Sequence, residues 1–212
     1  MTKNKLRKIR FGIKNKIVSS SILFIEITIV IFSLFSCVSN KNIESEKCSR
    51  LILAQGIKTE TQLVEFFFSM NPEISLQKIQ SLARTYKIES DFEGINSDVA
   101  FVQMCLETGF LRFGNLVQEN WHNYCGLGAI DENNPGERFE TEELGVRAHI
   151  QHLQAYATTE NENLKGNLVD PRYSWVHKAK FASTIFDLSL SWATDSNYGN
   201  KLDLLLQKLE EF

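Results

Sequence analysis

Residues 97–109 read Ser97-Asp98-Val99-Ala100-Phe101-Val102-Gln103-Met104-Cys105-Leu106-Glu107-Thr108-Gly109. The pattern predicts a helix from Asp98 to Glu107 that is apolar on nearly every side, and such a helix lies at the centre of a domain. Ser97 is the expected N-cap of this helix. Asp98 is placed favourably at the positive end of the helix dipole.

Glu107 interrupts the apolar pattern at the C-terminal end of this helix. The negative end of the helix dipole and an apolar surround both disfavour an ionised carboxyl, so they raise its pKa. A carboxyl that keeps its proton near neutral pH can act as a general acid. The alternative is that Glu107 is an ordinary last-turn residue that points to solvent.

The flanking sequence is mostly helical in pattern. Apolar residues at helical spacing predict five further helices: Thr61–Met70, Leu76–Glu89, Glu143–Ala157, Phe181–Trp192 and Tyr198–Leu209. Between them we expect loop and short helix over Gly109–Gly126, and a small β-hairpin in the turn-rich Ala129–Thr141. The predicted fold class is therefore mainly α (α+β), a helical domain with a small β-hairpin lobe.

Charge is unevenly distributed along the 212 residues. Residues 1–36 hold seven basic side chains and one acidic one, a net charge of +6; because the whole chain carries −3, residues 37–212 carry −9. Nucleic acids are bound mainly through Lys and Arg side chains that neutralise phosphates. The acidic body therefore argues against nucleic acid as a partner.

The N-terminal sequence is typical of an exported protein. A 20-residue apolar run, Ile17–Ser36, follows the basic stretch and contains one charged residue, Glu26. We predict a signal peptide over 1–36, ending in a lipobox-like Leu34-Phe35-Ser36 before Cys37, which would be the lipidated residue. An uncleaved transmembrane anchor is the alternative. Both place residues 38–212 outside the cytoplasm in the cell envelope, held to a membrane; we expect a polar tether over 37–58 and one folded domain over 59–212.

The cysteines and histidines predict neither a metal nor a cofactor. Cys48 is expected to be a bystander in the tether, while Cys105 and Cys125 could form a disulfide or remain buried thiols. His149 and His152 have helical i,i+3 spacing, but no third ligand is spaced to join them.

Five segments of the sequence carry a resemblance to a known family. They are 97–111 (Ser-Asp-Val-Ala-Phe to Glu-Thr-Gly-Phe-Leu), 123–129 (Asn-Tyr-Cys-Gly-Leu-Gly-Ala), 145–157 (Gly-Val-Arg-Ala-His to Ala-Tyr-Ala), 169–173 (Val-Asp-Pro-Arg-Tyr) and 192–199 (Trp-Ala-Thr-Asp to Tyr-Gly). In order and spacing, about residues 61–210 resemble the bacterial glucosaminidase domain, glycoside hydrolase family 73. The resemblance implies a lysozyme-like fold, cleavage of peptidoglycan glycan strands and Glu107 as the general acid.

The resemblance also implies a second carboxylate in the β-lobe. Glu137 is the first choice, because the Pro135-Gly136 turn would aim it across a cleft; participation of the sugar N-acetyl group is the alternative. Tyr198 matches a tyrosine that faces the cleft in relatives, so the resemblance implies a substrate-binding or transition-state role for it.

Three other residues of the matched segments are candidates for substrate binding. Asn123 either orients an acetamide or caps the turn after it, and Tyr124 and Tyr173 are either binding or structural residues. Gly126 and Gly128 suit a tight turn at the cleft floor.

The predicted activity is an endo-β-N-acetylglucosaminidase that acts on peptidoglycan and cuts after N-acetylglucosamine. Muramidase or lytic-transglycosylase chemistry on the same glycan, and a non-catalytic wall-binding module, are the alternatives.

Overall fold

The computed structural model describes residues 46–159 and 164–212. The predicted signal peptide, the lipobox-like segment, Cys37 and residues 37–45 of the predicted tether lie outside the described residues. Within the described ranges, no helix is long and apolar enough to cross a bilayer.

The described part of the chain forms a mainly α-helical, lysozyme-like domain with one small hairpin, as the sequence predicted. Its helices are α1 (Glu60–Met70), α2 (Leu76–Glu93), α3 (Ser97–Glu107), α4 (Glu142–Ala157), α5 (Tyr173–Ala179) and α6 (Tyr198–Leu209). Two short 3-10 helices lie at Glu119–Trp121 and Ile185–Leu188. Strands β1 (Ala129–Asp131) and β2 (Asn134–Pro135) pair antiparallel.

Helix α3 is the centre of the domain. Every residue from Ser97 to Cys105 is buried, and α3 contacts α1, α2, α4 and α6. The all-round apolar pattern therefore predicted its position correctly. The predicted N-cap was wrong, because Asn96, not Ser97, accepts hydrogen bonds from the first backbone N–H groups of α3.

The predicted tether differs in the structure, because its last part packs onto the domain. Ile52 is fully buried, and Arg50 pairs with Asp203 at 2.6 Å and also with Glu210, both on or next to α6. Asp98 accepts hydrogen bonds from the backbone N–H groups of residues 57 and 58, which anchors the end of this segment to α3. The described folded unit therefore begins before residue 59, and a polar composition did not reveal these specific partners.

The cysteines in the described residues are all free and buried: Cys48, Cys105 and Cys125. Cys48, predicted to be a tether bystander, belongs to the core. Cys105 and Cys125 stay as thiols, which is the second of the two readings that the sequence left open.

The predicted helix over Phe181–Trp192 was wrong. Only Ile185–Leu188 is helical, as one 3-10 turn. The Asp187 carboxylate accepts hydrogen bonds from the backbone N–H of Ser183 and Thr184, and Leu190 has a positive φ of 61°, so the chain turns instead of continuing a helix. The spacing of apolar residues in 181–192 reflects the burial of Ile185 and Leu188 and not a helix.

Two other helix boundaries differ from the prediction. Helix α2 continues to Glu93 because its polar last-turn residues find partners, Glu89 with Arg147 and Glu93 with the backbone N–H of Gly166, and it ends at Gly94 with φ 80°. Helix α5 (Tyr173–Ala179) was not predicted at all. Its seven residues are too few for a helical period to stand out.

Candidate active site

Glu107 lies on the wall of a cleft of about 480 Å³. We call this the catalytic cleft, after the role that the sequence predicts for Glu107, and define it by its lining residues. They are Leu106, Glu107, Thr108, Gly109, Arg112, Phe113, Gly114, Asn115, Leu116, Val117, Asn123, Cys125, Gly126, Ala129, Trp192 and Ala193. Three parts of the chain therefore form it: the end of α3 with the turn after it, the loop before β1, and the segment before α6.

The turn after α3 reverses the chain sharply and leaves Glu107 at the cleft. Gly109, Phe110 and Leu111 all have positive φ, 58°, 57° and 60°, which is unusual for the two non-glycine residues. The Thr108 hydroxyl donates to the Met104 carbonyl at 2.8 Å and accepts from the Leu111 N–H at 2.9 Å, which holds the reversal. Strained backbone of this kind persists where the surrounding contacts fix it, and it is common at functional sites.

The loop before β1 forms the opposite part of the floor and is held by Asn123. The Asn123 side chain accepts from the Leu127 N–H at 2.9 Å and donates to the carbonyls of Leu127 and Glu137 at 2.9 and 3.1 Å. Gly126 has φ 67°, and a Cβ there would lie 3.8 Å from Glu107 Oε2. A glycine at this position thus provides the left-handed turn and leaves room beside the carboxyl.

The Glu107 carboxyl is partly buried and receives two hydrogen bonds on one oxygen. Trp192 Nε1 donates to Oε1 at 3.0 Å, and the Tyr198 hydroxyl donates to the same oxygen. Burial raises the pKa of Glu107 above its usual value, and the two hydrogen bonds partly offset this because they favour the ionised form. The direction agrees with the sequence analysis.

The two oxygens of Glu107 are therefore inequivalent. Oε1 accepts from two donors, whereas no described residue hydrogen-bonds to Oε2, which lies next to Gly126 in the cleft wall. A protonated Glu107 must carry its proton on Oε2, since Oε1 is occupied as an acceptor. The proton then faces the cleft, where a bound ligand can take it.

A chain of buried polar groups stands behind Tyr198. Gln103 Nε2 donates to the Tyr198 hydroxyl at 2.9 Å, His149 Nε2 lies 3.0 Å from Gln103 Oε1, and the Tyr86 hydroxyl lies 2.8 Å from His149 Nδ1. Burial lowers the pKa of His149 to about 3, so this histidine is neutral. One assignment then satisfies every group: Tyr86 donates to His149, His149 to Gln103, Gln103 to Tyr198, and Tyr198 to Glu107.

Glu137, the predicted second carboxylate, lies beside the catalytic cleft but is not among its lining residues. A Cβ on Gly128 would be 3.3 Å from Glu137 Oε1, so the Glu137 side chain covers that glycine. Glu107 and Glu137 thus lie next to Gly126 and Gly128, the two glycines of one turn. Its role as a second catalytic group stays a prediction.

Tyr124 and Tyr173, two of the predicted binding residues, lie in the packed core and do not line the catalytic cleft. Tyr124 is fully buried, with its hydroxyl near Lys78 and His122. The Tyr173 hydroxyl donates to Gln154 at 3.1 Å. These contacts are those of structural residues. The hydrogen bonds of Asn123 support the second of its two alternatives, that it caps the turn after it.

Trp192 belongs to the candidate site, although the sequence predicts no role for it. It lies in a matched segment, at the end of the helix predicted over 181–192. Its indole packs against His149, His152 and Tyr156 while its N–H reaches Glu107. The available signal was its place in the matched segment, since nothing local to residue 192 reports a partner 85 positions away.

The histidine pair has partners of its own within the domain. His149 belongs to the chain behind Tyr198, and His152 Nδ1 lies 2.7 Å from Asp170 Oδ2. Across residues 46–159 and 164–212, no group of three or more His, Cys, Asp or Glu side chains is arranged to hold a metal ion.

Comparison with known families connects this geometry to an enzyme class. Residues 83–211 match the glucosaminidase family model, described as mannosyl-glycoprotein endo-β-N-acetylglucosaminidase. The chain belongs to the glucosaminidase family. The match covers α3 with Glu107, the loop before β1, Trp192 and Tyr198, so all the parts of the catalytic cleft lie inside the glucosaminidase domain.

One curated relative extends the likeness beyond the family model. The glucosaminidase chain is 39% identical over 170 residues to a protein of Borreliella burgdorferi described as uncharacterized, and the alignment covers 80% of this chain and 82% of the relative. No solved structure matches the chain. The family membership identifies a glycoside hydrolase domain.

Proposed function

We propose that this protein is a peptidoglycan hydrolase, an endo-β-N-acetylglucosaminidase that cleaves the β-1,4 bond after N-acetylglucosamine with Glu107 as the general acid. The observation that carries the proposal is the Glu107 carboxyl itself. It has a raised pKa, lies on the wall of an open cleft and has one oxygen fixed by Tyr198 and Trp192.

In the proposed reaction, Glu107 Oε2 gives its proton to the glycosidic oxygen as the bond to the sugar breaks. Water then supplies the hydroxyl of the new reducing end at the anomeric carbon, and its proton restores the acid. As the first proton leaves, negative charge develops on the carboxyl, and the hydrogen bonds from Tyr198 and Trp192 to Oε1 strengthen, because hydrogen bonds to a charged acceptor are about twice as strong as neutral ones. These two donors hence act mainly on the transition state rather than on bound substrate. In this proposal Tyr198 acts through Glu107, which corresponds to the second of its two predicted roles, the one in the transition state.

A second group must stabilise the oxocarbenium-like centre that forms on the sugar. Glu137 is the proposed carboxylate, since it lies at the same Gly126–Gly128 turn as Glu107 and its backbone carbonyl is held by Asn123. The N-acetyl group of the substrate sugar is the alternative nucleophile. Replacing Glu137 with Gln distinguishes these two alternatives. A fall in turnover of about 100-fold or more, typical of an essential acid or base, supports Glu137. Unchanged turnover supports the acetamide.

The substrate assignment rests on the resemblance seen in the sequence together with the family membership. The family description names an N-acetylglucosaminidase of glycoproteins, and peptidoglycan contains the same β-linked N-acetylglucosamine. We further propose that residues 1–36 direct export and that lipidated Cys37 holds the domain at a membrane of the bacterial envelope, next to its polymeric substrate.

Digestion of purified peptidoglycan tests the proposal. Full-length protein in mild detergent is compared with Glu107→Gln, and the new reducing-end sugar is identified by mass spectrometry. We expect fragments ending in N-acetylglucosamine from wild type, and a loss of about 10²–10⁴-fold in the variant, the usual contribution of general acid catalysis. Ends in N-acetylmuramic acid or its anhydro form would replace the proposal with muramidase or transglycosylase chemistry; binding without turnover would indicate a wall-binding module.

A further inference from the structure

A second pocket, of about 220 Å³, adjoins the catalytic cleft. The two share Cys125, Gly126, Ala129 and Trp192 as lining residues, so they lie on either side of one wall. The far side of the second pocket is formed by α5 and the residues around it, which the sequence analysis did not recognise as an element of the site. We call it the α5 pocket.

The α5 pocket carries positive charge on an otherwise acidic protein. Arg172 and Lys180 line it, while residues 37–212 have a net charge of −9. Five of the other described basic residues, Arg50, Lys78, Arg84, Arg147 and Lys201, are paired with carboxylates. Within the described ranges, by contrast, neither Arg172 nor Lys180 forms an ion pair with an Asp or Glu within 4 Å.

The acidic group nearest in sequence is already used. Asp170 is 1% exposed, and its carboxylate is bonded by His152 Nδ1 at 2.7 Å and by the backbone N–H of Arg172 at 2.8 Å. Asp170 therefore positions the backbone of Arg172 without pairing with its guanidinium. Such an arrangement fixes where the cation emerges and leaves its donors available.

An aromatic ring accompanies the two cations. Trp175 is 55% exposed, lines the α5 pocket and has the Arg172 guanidinium 5.4 Å from its ring centre. A large exposed indole next to an oriented arginine is a common recognition pair, because the ring contacts apolar groups while the guanidinium binds a carboxylate with two parallel hydrogen bonds.

We propose that the α5 pocket binds a carboxylate-bearing substituent of the glycan strand while the sugar backbone occupies the catalytic cleft. The proposal rests on the proposed function. The substituent is either the lactyl carboxylate of muramic acid, when no peptide is attached, or the carboxylates of the peptide stem. A plain N-acetylglucosamine polymer has neither, so the pocket selects substituted wall glycan over uncharged glycan.

Three substrates separate these sources in one assay. They are soluble glycan strands with peptide stems, the same strands after an amidase has removed the stems and left lactyl carboxylates, and chitohexaose, which has no carboxylate. The test variant is Arg172→Gln/Lys180→Gln. Lys178→Gln is the matched control, because Lys178 is an exposed lysine of α5 that does not line the pocket. A further single variant, Arg172→Lys, keeps the positive charge but lacks the planar guanidinium.

We expect the double variant to lose about tenfold in kcat/KM on stem-bearing strands and less than about twofold on chitohexaose, as exposed charge pairs are individually modest. The loss on stem-bearing strands should shrink as salt rises, because partly exposed charges are screened. A loss on stem-bearing strands that disappears on stripped strands identifies the stem carboxylates as the ligand, whereas a loss confined to stripped strands identifies the lactyl carboxylate. A loss on both shows that the pocket accepts either carboxylate. The single variant Arg172→Lys should lose less activity on stem-bearing strands than the double variant, and Lys178→Gln should match wild type.

Equal losses on all three substrates, or no loss on any, would overturn the α5 pocket as an anion site. If wild type cleaves none of the substrates, the proposed function fails separately. The pocket is then tested by the Kd of Glu107→Gln protein, with and without the double substitution, for a disaccharide peptide and for chitotetraose. Weaker binding of the disaccharide peptide alone supports the pocket, and equal binding overturns it.

Discussion

Replacing Tyr198 with Phe tests whether the donors on Glu107 Oε1 act by stabilising a developing carboxylate. The substitution removes the hydroxyl that donates to Oε1 and leaves the Trp192 donor in place. A hydrogen bond to a charged group contributes about 1.5–3 kcal/mol and a neutral one about 0.5–1.5 kcal/mol. The part gained as Glu107 ionises is the difference, about 1–1.5 kcal/mol, which corresponds to about a 5- to 13-fold loss in rate.

The same substitution changes the pH profile in a predictable direction. The Tyr198 hydrogen bond lowers the pKa of Glu107 against the larger effect of burial, so its removal raises that pKa further. Because the general acid works only while protonated, activity falls as pH rises through the Glu107 pKa. The variant should therefore be slower at its optimum, and its alkaline limb should move to higher pH.

The assay is kcat/KM for reducing-end release between pH 4 and 9. Tyr173→Phe is the control, because it also removes a buried tyrosine hydroxyl, the one that donates to Gln154, without touching Glu107. It should reduce thermal stability and leave both the rate and the alkaline limb unchanged. An alkaline limb of Tyr198→Phe that stays in place or moves to lower pH would refute the argument, whatever the rate.

Three further predictions concern stability. Gly145→Ala should lower the free energy of unfolding by about 3 kcal/mol or more, because a Cβ there would lie 1.8 Å from the His122 carbonyl oxygen; thermal unfolding measures it. Arg147→Ala leaves the buried Glu89 carboxylate without its two-bond partner and should cost about 2–4 kcal/mol in urea titration. His149 is neutral when folded, with a pKa of about 3, and its usual value is 6.5, so it takes up a proton only on unfolding between those pH values; stability should fall as pH drops through this window, by up to about 1.4 kcal/mol per pH unit, and His149→Gln should flatten that slope.

Two matched variants serve as controls for the first two of these predictions. Gly114→Ala adds a Cβ that meets nothing within 4 Å, so the unfolding temperature should not change. Arg84→Ala breaks an exposed ion pair with Glu60 and should cost no more than about 1 kcal/mol. A fall for Gly114→Ala as large as that for Gly145→Ala would contradict the steric explanation, and equal costs for Arg84→Ala and Arg147→Ala would contradict the burial explanation.

What the sequence could predict is what local pattern records. Helix α6 has the bounds that the spacing of its leucines predicted, Tyr198–Leu209, and α3 is buried on every side as its composition required. The helix predicted over 181–192 was wrong, because buried apolar residues at helical spacing are also compatible with a 3-10 turn between bends. Pattern predicts which residues are inside more reliably than how the backbone gets them there.

The site was predictable only as far as Glu107. Thirteen consecutive residues, 97–109, were enough to predict that Glu107 lies at the end of an apolar helix. The resemblance to the glucosaminidase family then implied a role for that glutamate. The two donors on Oε1 come from residues 85 and 91 positions further along the chain. The α5 pocket depends on α5, a helix too short to be predicted from its sequence. The sequence therefore could not show that Arg172 and Lys180 lie next to the site.

The chain of buried polar groups gives a physical reason why Glu107 is an acid of fixed orientation. Because His149 is neutral and Tyr86 donates to its Nδ1, its Nε2 must carry the hydrogen and donate to Gln103. The Gln103 amide is thereby oriented so that its NH₂ faces Tyr198, which leaves the Tyr198 hydroxyl hydrogen free to point only at Glu107. Each step removes one rotational choice, and the last one leaves the Glu107 proton on the oxygen that faces the cleft. A polar chain whose far end lies on α2 is thus part of how the carboxyl presents its proton.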